Sequence, residues 1–251
     1  MNQKITAFLF GLLGTTLLIC ACILALYFRQ SSQQAALYSQ LAASASYFDT
    51  GELTGEGSLL PEREELYQQN PDMVGWIQIE GTGIDYPVMQ TLADPNYYLK
   101  HDFEKHYTDY GCPFMQSDCD ALCPSDNLII YGHNMKDGSM FADLAKYRSK
   151  DFWQARKTVW FDTAVGSSAY EIFAVIHTTV QADAADAFLF YQFVDAAAPE
   201  EFADYVSACQ ARALYDTGIS AEYGDKLLTL STCDNITDNG RWLVIAKRIL
   251  Y

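Results

Sequence analysis

From Ile5 to Phe28 the chain carries 24 residues without a charge. As a helix, at about 1.5 Å per residue, that run covers a hydrocarbon core of about 30 Å. This predicts a membrane-spanning N-terminal helix and leaves the rest of the chain to fold beyond Arg29. A cleaved signal peptide has a shorter apolar region and a small-residue cleavage site. Ile19-Cys20-Ala21-Cys22 resembles a bacterial lipoprotein cleavage site only faintly, because a cysteine two positions before the modified one is out of pattern. The reading is therefore an uncleaved anchor. Lys4 precedes the span, Arg29 follows it, and the bulk of the chain lies after it. The expected topology is a single-pass cell-membrane protein with its folded part outside.

Charge distribution limits the partners. The net charge is −16, and all 32 acidic residues lie beyond Arg29. Such a field repels nucleic acid and anionic lipid surfaces, so nucleic acid is set aside as a partner. Of the 251 residues half are hydrophobic, which allows one domain of up to about 200 residues with a sizeable core. The expected organisation is an anchor over 1–29, a stalk and linker over 30–60, and one folded domain over 61–251. Ser31 to Ser46 reads as a helical stalk and Asp49 to Ser58 as a linker. A further helix starts at Pro61 and ends before Asn70-Pro71.

Beyond Pro71 the pattern is β. Val74–Ile79 and Ile84–Met89 flank Glu80-Gly-Thr-Gly83, a hairpin signal. Cys112–Met115, Asn127–Tyr131, Thr158–Asp162 and Ala169–Val180 read as strands, and two C-terminal runs bring the count to eight. Short strands between turn signals predict a mainly β fold, a closed or nearly closed barrel with peripheral helices. Helices are expected over Ser139–Tyr147 and Pro199–Leu214. The second of these places Phe202, Tyr205, Val206, Cys209 and Ala213 on one face.

Chemistry concentrates at the C-terminus. Lys226-Leu-Leu-Thr-Leu-Ser-Thr-Cys233 and Arg241-Trp-Leu-Val-Ile-Ala-Lys-Arg248 are apolar strands joined by a polar loop of seven residues. Paired as a hairpin, they set Cys233 opposite Arg241 at about 5 Å. Alternation puts Thr229, Ser231 and Cys233 on one face. A thiol beside a fixed cation is how proteins make a reactive thiolate. Of the four histidines, His133 ends the strand Asn127–Tyr131 and leads into a turn that contains Gly138, a position that faces a cleft. His101 and His106 lie in a charged segment and read as solvated; His177 reads as a satisfied residue within a strand. The Cys112, Cys119, Cys123 cluster lacks the spacing of a metal site, and no cofactor is expected. It leaves open a Cys119–Cys123 or a Cys112–Cys123 disulfide.

Several motifs in order resemble class B sortases. They are Asn70 to Gln90, Asn96-Tyr-Tyr-Leu99, Tyr131 to Phe141 and Thr229-Leu-Ser-Thr-Cys233. The resemblance covers about residues 60–251 and implies a sortase-like eight-stranded barrel behind an N-terminal anchor. It implies a cysteine transpeptidase that cleaves a C-terminal sorting signal of surface proteins and joins them to an amine of peptidoglycan precursor or cross-bridge. By the same resemblance the catalytic histidine falls on His133, the nucleophile on Cys233 and the catalytic arginine on Arg241, with Ser231 and Leu99 in the substrate groove. Pro95 departs from the polar residue often found in relatives, which leaves the substrate preference open. Asp234, next to the nucleophile, reads as a loop residue rather than a third catalytic group. An L,D-transpeptidase-like cross-linker is disfavoured because Ser231-Thr232, not a histidine and glycine, precede the cysteine. A papain-like peptidase has its cysteine before its histidine, the reverse of the order here. A membrane-anchored binding module is the non-catalytic alternative, and it would need no free thiol.

Overall fold

The structure is a computed structural model describing residues 3–45, 61–164, 166–181, 187–237 and 239–249. The Asp49–Ser58 linker lies outside these. The chain divides into two units, Met1–Gln40 and Leu41–Tyr251.

Helix α1, Gln3–Ala45, runs unbroken through the segments read as anchor and stalk, and helix α2 covers Pro61–Gln69. Leu12, Leu17, Ile19, Ile23, Leu26 and Phe28 are all more than half exposed. A helix apolar on every face, with those faces uncovered, has the character of a membrane span. The described residues hold one helix long and apolar enough to cross a membrane.

The second unit contains a closed eight-stranded barrel. Its strands are β1 (Met73–Gln78), β2 (Asp85–Met89), β3 (Phe114–Met115), β4 (Asn127–Tyr131), β5 (Thr158–Thr163), β6 (Gly166–Thr179), β7 (Leu227–Cys233) and β8 (Gly240–Arg248). Around the barrel they run β1-β2-β3-β4-β7-β8-β6-β5. β1 and β2 form the expected hairpin, pairing antiparallel from Gln78↔Asp85. β4 and β7 pair in parallel, so the connection between them must cross over, and it carries β5, β6 and helix α4 (Pro199–Arg212). β7 and β8 form the C-terminal hairpin, and β8 pairs on its other side with β6.

Both faces of β4, β7 and β8 are covered, which is why these strands read as continuous apolar runs. Leu128 to Ile130, Leu227 to Leu230 and Leu243 to Ile245 are at most 1% exposed. Helix α4 buries Phe202, Tyr205, Val206 and Cys209, the face its periodicity indicates. The expected helix at Ser139–Tyr147 is instead a 3₁₀ helix over Ala142–Arg148, followed by a short α3 over Lys150–Ala155. Ser149 separates the two with extended backbone, and its hydroxyl caps α3 by accepting from the Phe152 amide.

All seven cysteines are free thiols, so neither disulfide left open by the sequence exists. Cys112 and Cys119 are buried, with Cys112 Sγ 3.5 Å from the Pro87 carbonyl and Cys119 Sγ 3.4 Å from the Asn127 carbonyl, whereas Cys123 is exposed. Burial pushes the thiols of Cys119 and Cys209 up to about 12. His101 is not solvated as expected: its ring stacks on Tyr97 at 3.9 Å and Nδ1 lies 2.7 Å from the Tyr97 carbonyl. His106 is exposed.

Candidate active site

Cys233 is the last residue of β7, and register sets its neighbours. Across the antiparallel pair it stands opposite Arg241, and Arg241 in turn stands opposite Thr178 of β6. On the other side the parallel ladder pairs Tyr131 with Ser231. That ladder continues past its last paired residues through side chains. The Gly132 amide donates to the Ser231 carbonyl at 3.1 Å, and Thr232 Oγ1 donates to the Gly132 carbonyl at 2.7 Å. Asn134 Nδ2 then donates to the Cys233 carbonyl at 2.9 Å, and Asn235 Nδ2 to the Asn134 carbonyl at 3.0 Å. Two residues beyond the Tyr131–Ser231 pair, His133 and Cys233 come level. His133, Cys233 and Arg241 thus form one row across three neighbouring strand ends. Cys233 is exposed there.

Gly132 makes this approach possible. A Cβ at that position would meet the Phe141 ring at 2.5 Å, so the ring packs directly on the backbone that delivers His133. The Phe141 amide also donates to the His133 carbonyl at 2.8 Å.

The imidazole has a defined proton. His133 Nε2 lies 2.8 Å from the Leu99 carbonyl. A carbonyl only accepts, so Nε2 carries the hydrogen, and in the neutral ring Nδ1 holds the lone pair. Leu99 closes a 3₁₀ turn, Tyr97–Leu99, and its exposed side chain stands beside that carbonyl. Tyr98 anchors the turn. Its hydroxyl donates to Asp72 at 2.9 Å and accepts from the buried Asn70 at 2.9 Å.

Arg241 donates from Nη1 to the Gly240 carbonyl at 2.9 Å. Among the described residues no carboxylate pairs with it. Of its five N–H donors the others remain for a ligand. Its charge reaches Tyr131: burial raises that phenol well above its ordinary value, and Arg241 pulls the other way. Ser231, on the face of Cys233 and one place inward, is 1% exposed, and its hydroxyl has no hydrogen-bond partner. An orphaned buried hydroxyl costs about 1–3 kcal/mol.

Asp234, next to the thiol, faces away from His133. Its carboxylate accepts from His177 Nε2 at 2.8 Å and from the amides of Ile236 and Thr237 at 3.1 and 3.2 Å. Burial works against its charge, but these hydrogen bonds and the His177 charge outweigh it and hold the carboxyl below its ordinary value.

The structure therefore gathers His133, Cys233 and Arg241, with Ser231 beneath them and Leu99 at the edge. It also shows what the sequence did not mark. Asn134 and Asn235 join the loop after β4 to the loop after β7, and Leu99 meets His133 through its carbonyl. The only sequence signal was an asparagine in each loop.

A model of the sortase domain matches residues 77–249. The chain belongs to the sortase family. Sortase B of Listeria monocytogenes is 36% identical over 197 residues, which span 77% of this chain and 76% of that one. Sortase B of Staphylococcus aureus is 27% identical over 191 residues, 76% of this chain and 75% of that one. Among solved structures, the S. aureus sortase B–substrate complex superposes with a TM-score of 0.77 at 26% identity, covering 88% of this chain and 98% of the other. Clostridium perfringens sortase B gives 0.68 at 32% identity, with 75% and 100% covered. The similarity is to class B sortases throughout, and the chain is a sortase-type cysteine transpeptidase on their eight-stranded barrel. That removes the L,D-transpeptidase, papain-like and binding-module readings.

Proposed function

We propose that this sortase cleaves a C-terminal sorting signal of surface proteins and transfers them to a cell-wall amine, with Cys233 as nucleophile. The observation that carries this is the single row of His133, Cys233 and Arg241, an acid–base, a thiol and a fixed cation at adjacent strand ends. The Cys233 thiolate attacks the scissile peptide carbonyl, forming a C–S bond and a tetrahedral oxyanion. Arg241 donates to that oxyanion, a contact whose removal costs about 2.7–4 kcal/mol of barrier. As the C–N bond breaks, a protonated His133 gives its proton to the leaving amine, leaving a thioester and a neutral imidazole. The incoming amine then attacks the thioester, His133 takes its proton, and the thiolate departs as a new amide forms. Nδ1 carries these transfers, because Nε2 is committed to the Leu99 carbonyl. Leu99, with its exposed side chain, lines the groove for the sorting signal, with Ser231 buried in its floor.

The exposed apolar run of α1 supports anchoring in the cell membrane by a single span, with the catalytic unit outside. The partners are surface proteins bearing the sorting signal and a peptidoglycan precursor or cross-bridge amine.

The test uses the full chain in detergent micelles, a panel of sorting-signal peptides and a set of amine acceptors. Cleavage with acyl transfer is expected for at least one pair, abolished by Cys233→Ala and reduced by orders of magnitude in His133→Ala. Transfer by Cys233→Ala would overturn the assignment of the nucleophile.

A further inference from the structure

The nucleophile of this enzyme sits beside a carboxylate, an unfavourable arrangement taken alone. A negative charge on the next residue disfavours the thiolate. Asp234 also has a structural use, because its oxygens accept the Ile236 and Thr237 amides and so shape the turn from β7 to β8. The structure supplies an answer from a third strand. His177, on β6, projects its Nε2 to within 2.8 Å of Asp234 Oδ2. A carboxylate only accepts, so the imidazole is the donor. Register places His177 opposite Trp242, and the two rings lie 4.5 Å apart at 33°. The imidazole is therefore held between the residue after Cys233 and the residue after Arg241. Further along, the Val180 amide donates to the Asn239 carbonyl at 3.2 Å, a second tie between β6 and the same turn.

We propose that His177 is a positioning residue for the reaction: it draws the Asp234 carboxylate toward β6, fixes the β7–β8 turn, and shields the Cys233 thiol from that carboxylate's charge. This rests on Cys233 being the nucleophile. Among the described residues the charged and titratable groups around the thiol are then His133 from the β4 side, Arg241 from β8, and Asp234 just past the end of β7 with His177 from β6 behind it. The Arg241 cation and a carboxylate held toward His177 favour the thiolate; an Asp234 without that partner would oppose it. Asp234 is thereby a structural partner of His177 and not the third member of a triad with His133.

The test measures alkylation of Cys233 against pH, read on the Cys233 peptide by mass spectrometry so that the other thiols do not interfere. Transfer kinetics are measured on the same full-length variants. His177→Ala is expected to raise the apparent thiol pKa by about one unit and lower kcat about tenfold, with little change in KM. Adding Asp234→Asn to His177→Ala should return the thiol pKa to its original value while kcat stays low, because the turn is still untied. His177→Gln, which keeps a donor, should recover part of kcat. His177 is partly exposed but the Asp234 side chain is only 7% exposed, so thermal unfolding of each variant checks that it is folded. A His177→Ala enzyme with unchanged thiol pKa and kcat overturns the proposal. Failure of the underlying assignment looks different: Cys233→Ala would then retain transfer whatever happens at His177.

Discussion

Arg241 can act in two ways, and one substitution separates them. As a bare charge it lowers the thiol pKa; as a planar fork it donates directed hydrogen bonds to the oxyanion. Lysine keeps the charge and loses the fork. Since no carboxylate among the described residues occupies the guanidinium, directed donation is the expected role. Arg241→Lys should then fall nearly as far as Arg241→Ala in peptide cleavage, with the thiol pKa little changed in the lysine variant. Near-normal cleavage by the lysine variant would leave only the electrostatic role. A second residue acts at one remove. Gly111 has φ +61°, and a Cβ there would lie 2.5 Å from the Tyr98 carbonyl oxygen and 2.8 Å from that of Leu99. Both are backbone atoms, which cannot rotate aside. Gly111→Ala should therefore displace the carbonyl that holds His133 Nε2, in addition to a left-handed cost of about 1–2 kcal/mol. The expected result is a lower melting temperature and a kcat that falls more than KM changes. A variant with full kcat would show that the Leu99 carbonyl does not set the imidazole. This residue was not legible from the sequence, because a glycine twelve residues beyond Leu99 reveals neither its φ nor what it touches.

The elements nearest the site were legible wherever burial on both faces or strict alternation left one reading. β4, β7 and β8 were placed by their apolar runs, and the Cys233–Arg241 pairing followed from hairpin register. The parallel pairing of β4 with β7 was not readable, since a connection of some ninety residues intervenes and apolarity carries no strand direction. It is secured at its outer end by Asp126, just before β4. Its carboxylate takes Lys226 Nζ at 2.8 Å and the Ala196 amide at 3.0 Å. Burial opposes the Asp126 charge, but the Lys226 hydrogen bond, the Ala196 amide and the Lys226 charge outweigh it, so its carboxyl titrates below the ordinary 3.8. A depressed folded pKa gives stability that is present above the unfolded value and lost as pH falls through the folded one. Asp126→Asn should lower the melting temperature by about 2–4 °C at neutral pH, for about 1 kcal/mol lost. That gap should close as pH drops below about 4. A gap that persists unchanged at pH 2.5 would show that the contribution is not from the ionised carboxylate. The short helix α3 was missed for a local reason: Ser149 halts one helix and caps the next, and the sequence pattern merges the two.

At the scale of the whole molecule, the asymmetry of charge and the apolar α1 argue together for an orientation. Every acidic residue lies beyond Arg29, and the exposed apolar side chains from Phe10 to Phe28 lie before it. A span of this length inserts as a helix, and a strongly acidic catalytic unit is repelled by anionic lipid surfaces. Positive residues flank the span on both sides, Lys4 before it and Arg29 after it, so the basic-residue bias by itself fixes no orientation. The proposed function argues for one instead: an enzyme that joins surface proteins to wall amines would have to meet both outside the membrane. The expected arrangement is the N-terminus inside and the catalytic unit outside. Protease added to intact protoplasts expressing the full chain should remove the catalytic unit, leaving a fragment that contains α1 in the membrane fraction. A tag placed before Lys4 should survive the same treatment and disappear only after lysis. Protection of the catalytic unit in intact protoplasts would reverse the orientation, and a mature chain beginning at Cys22 would replace the spanning helix with a lipid anchor.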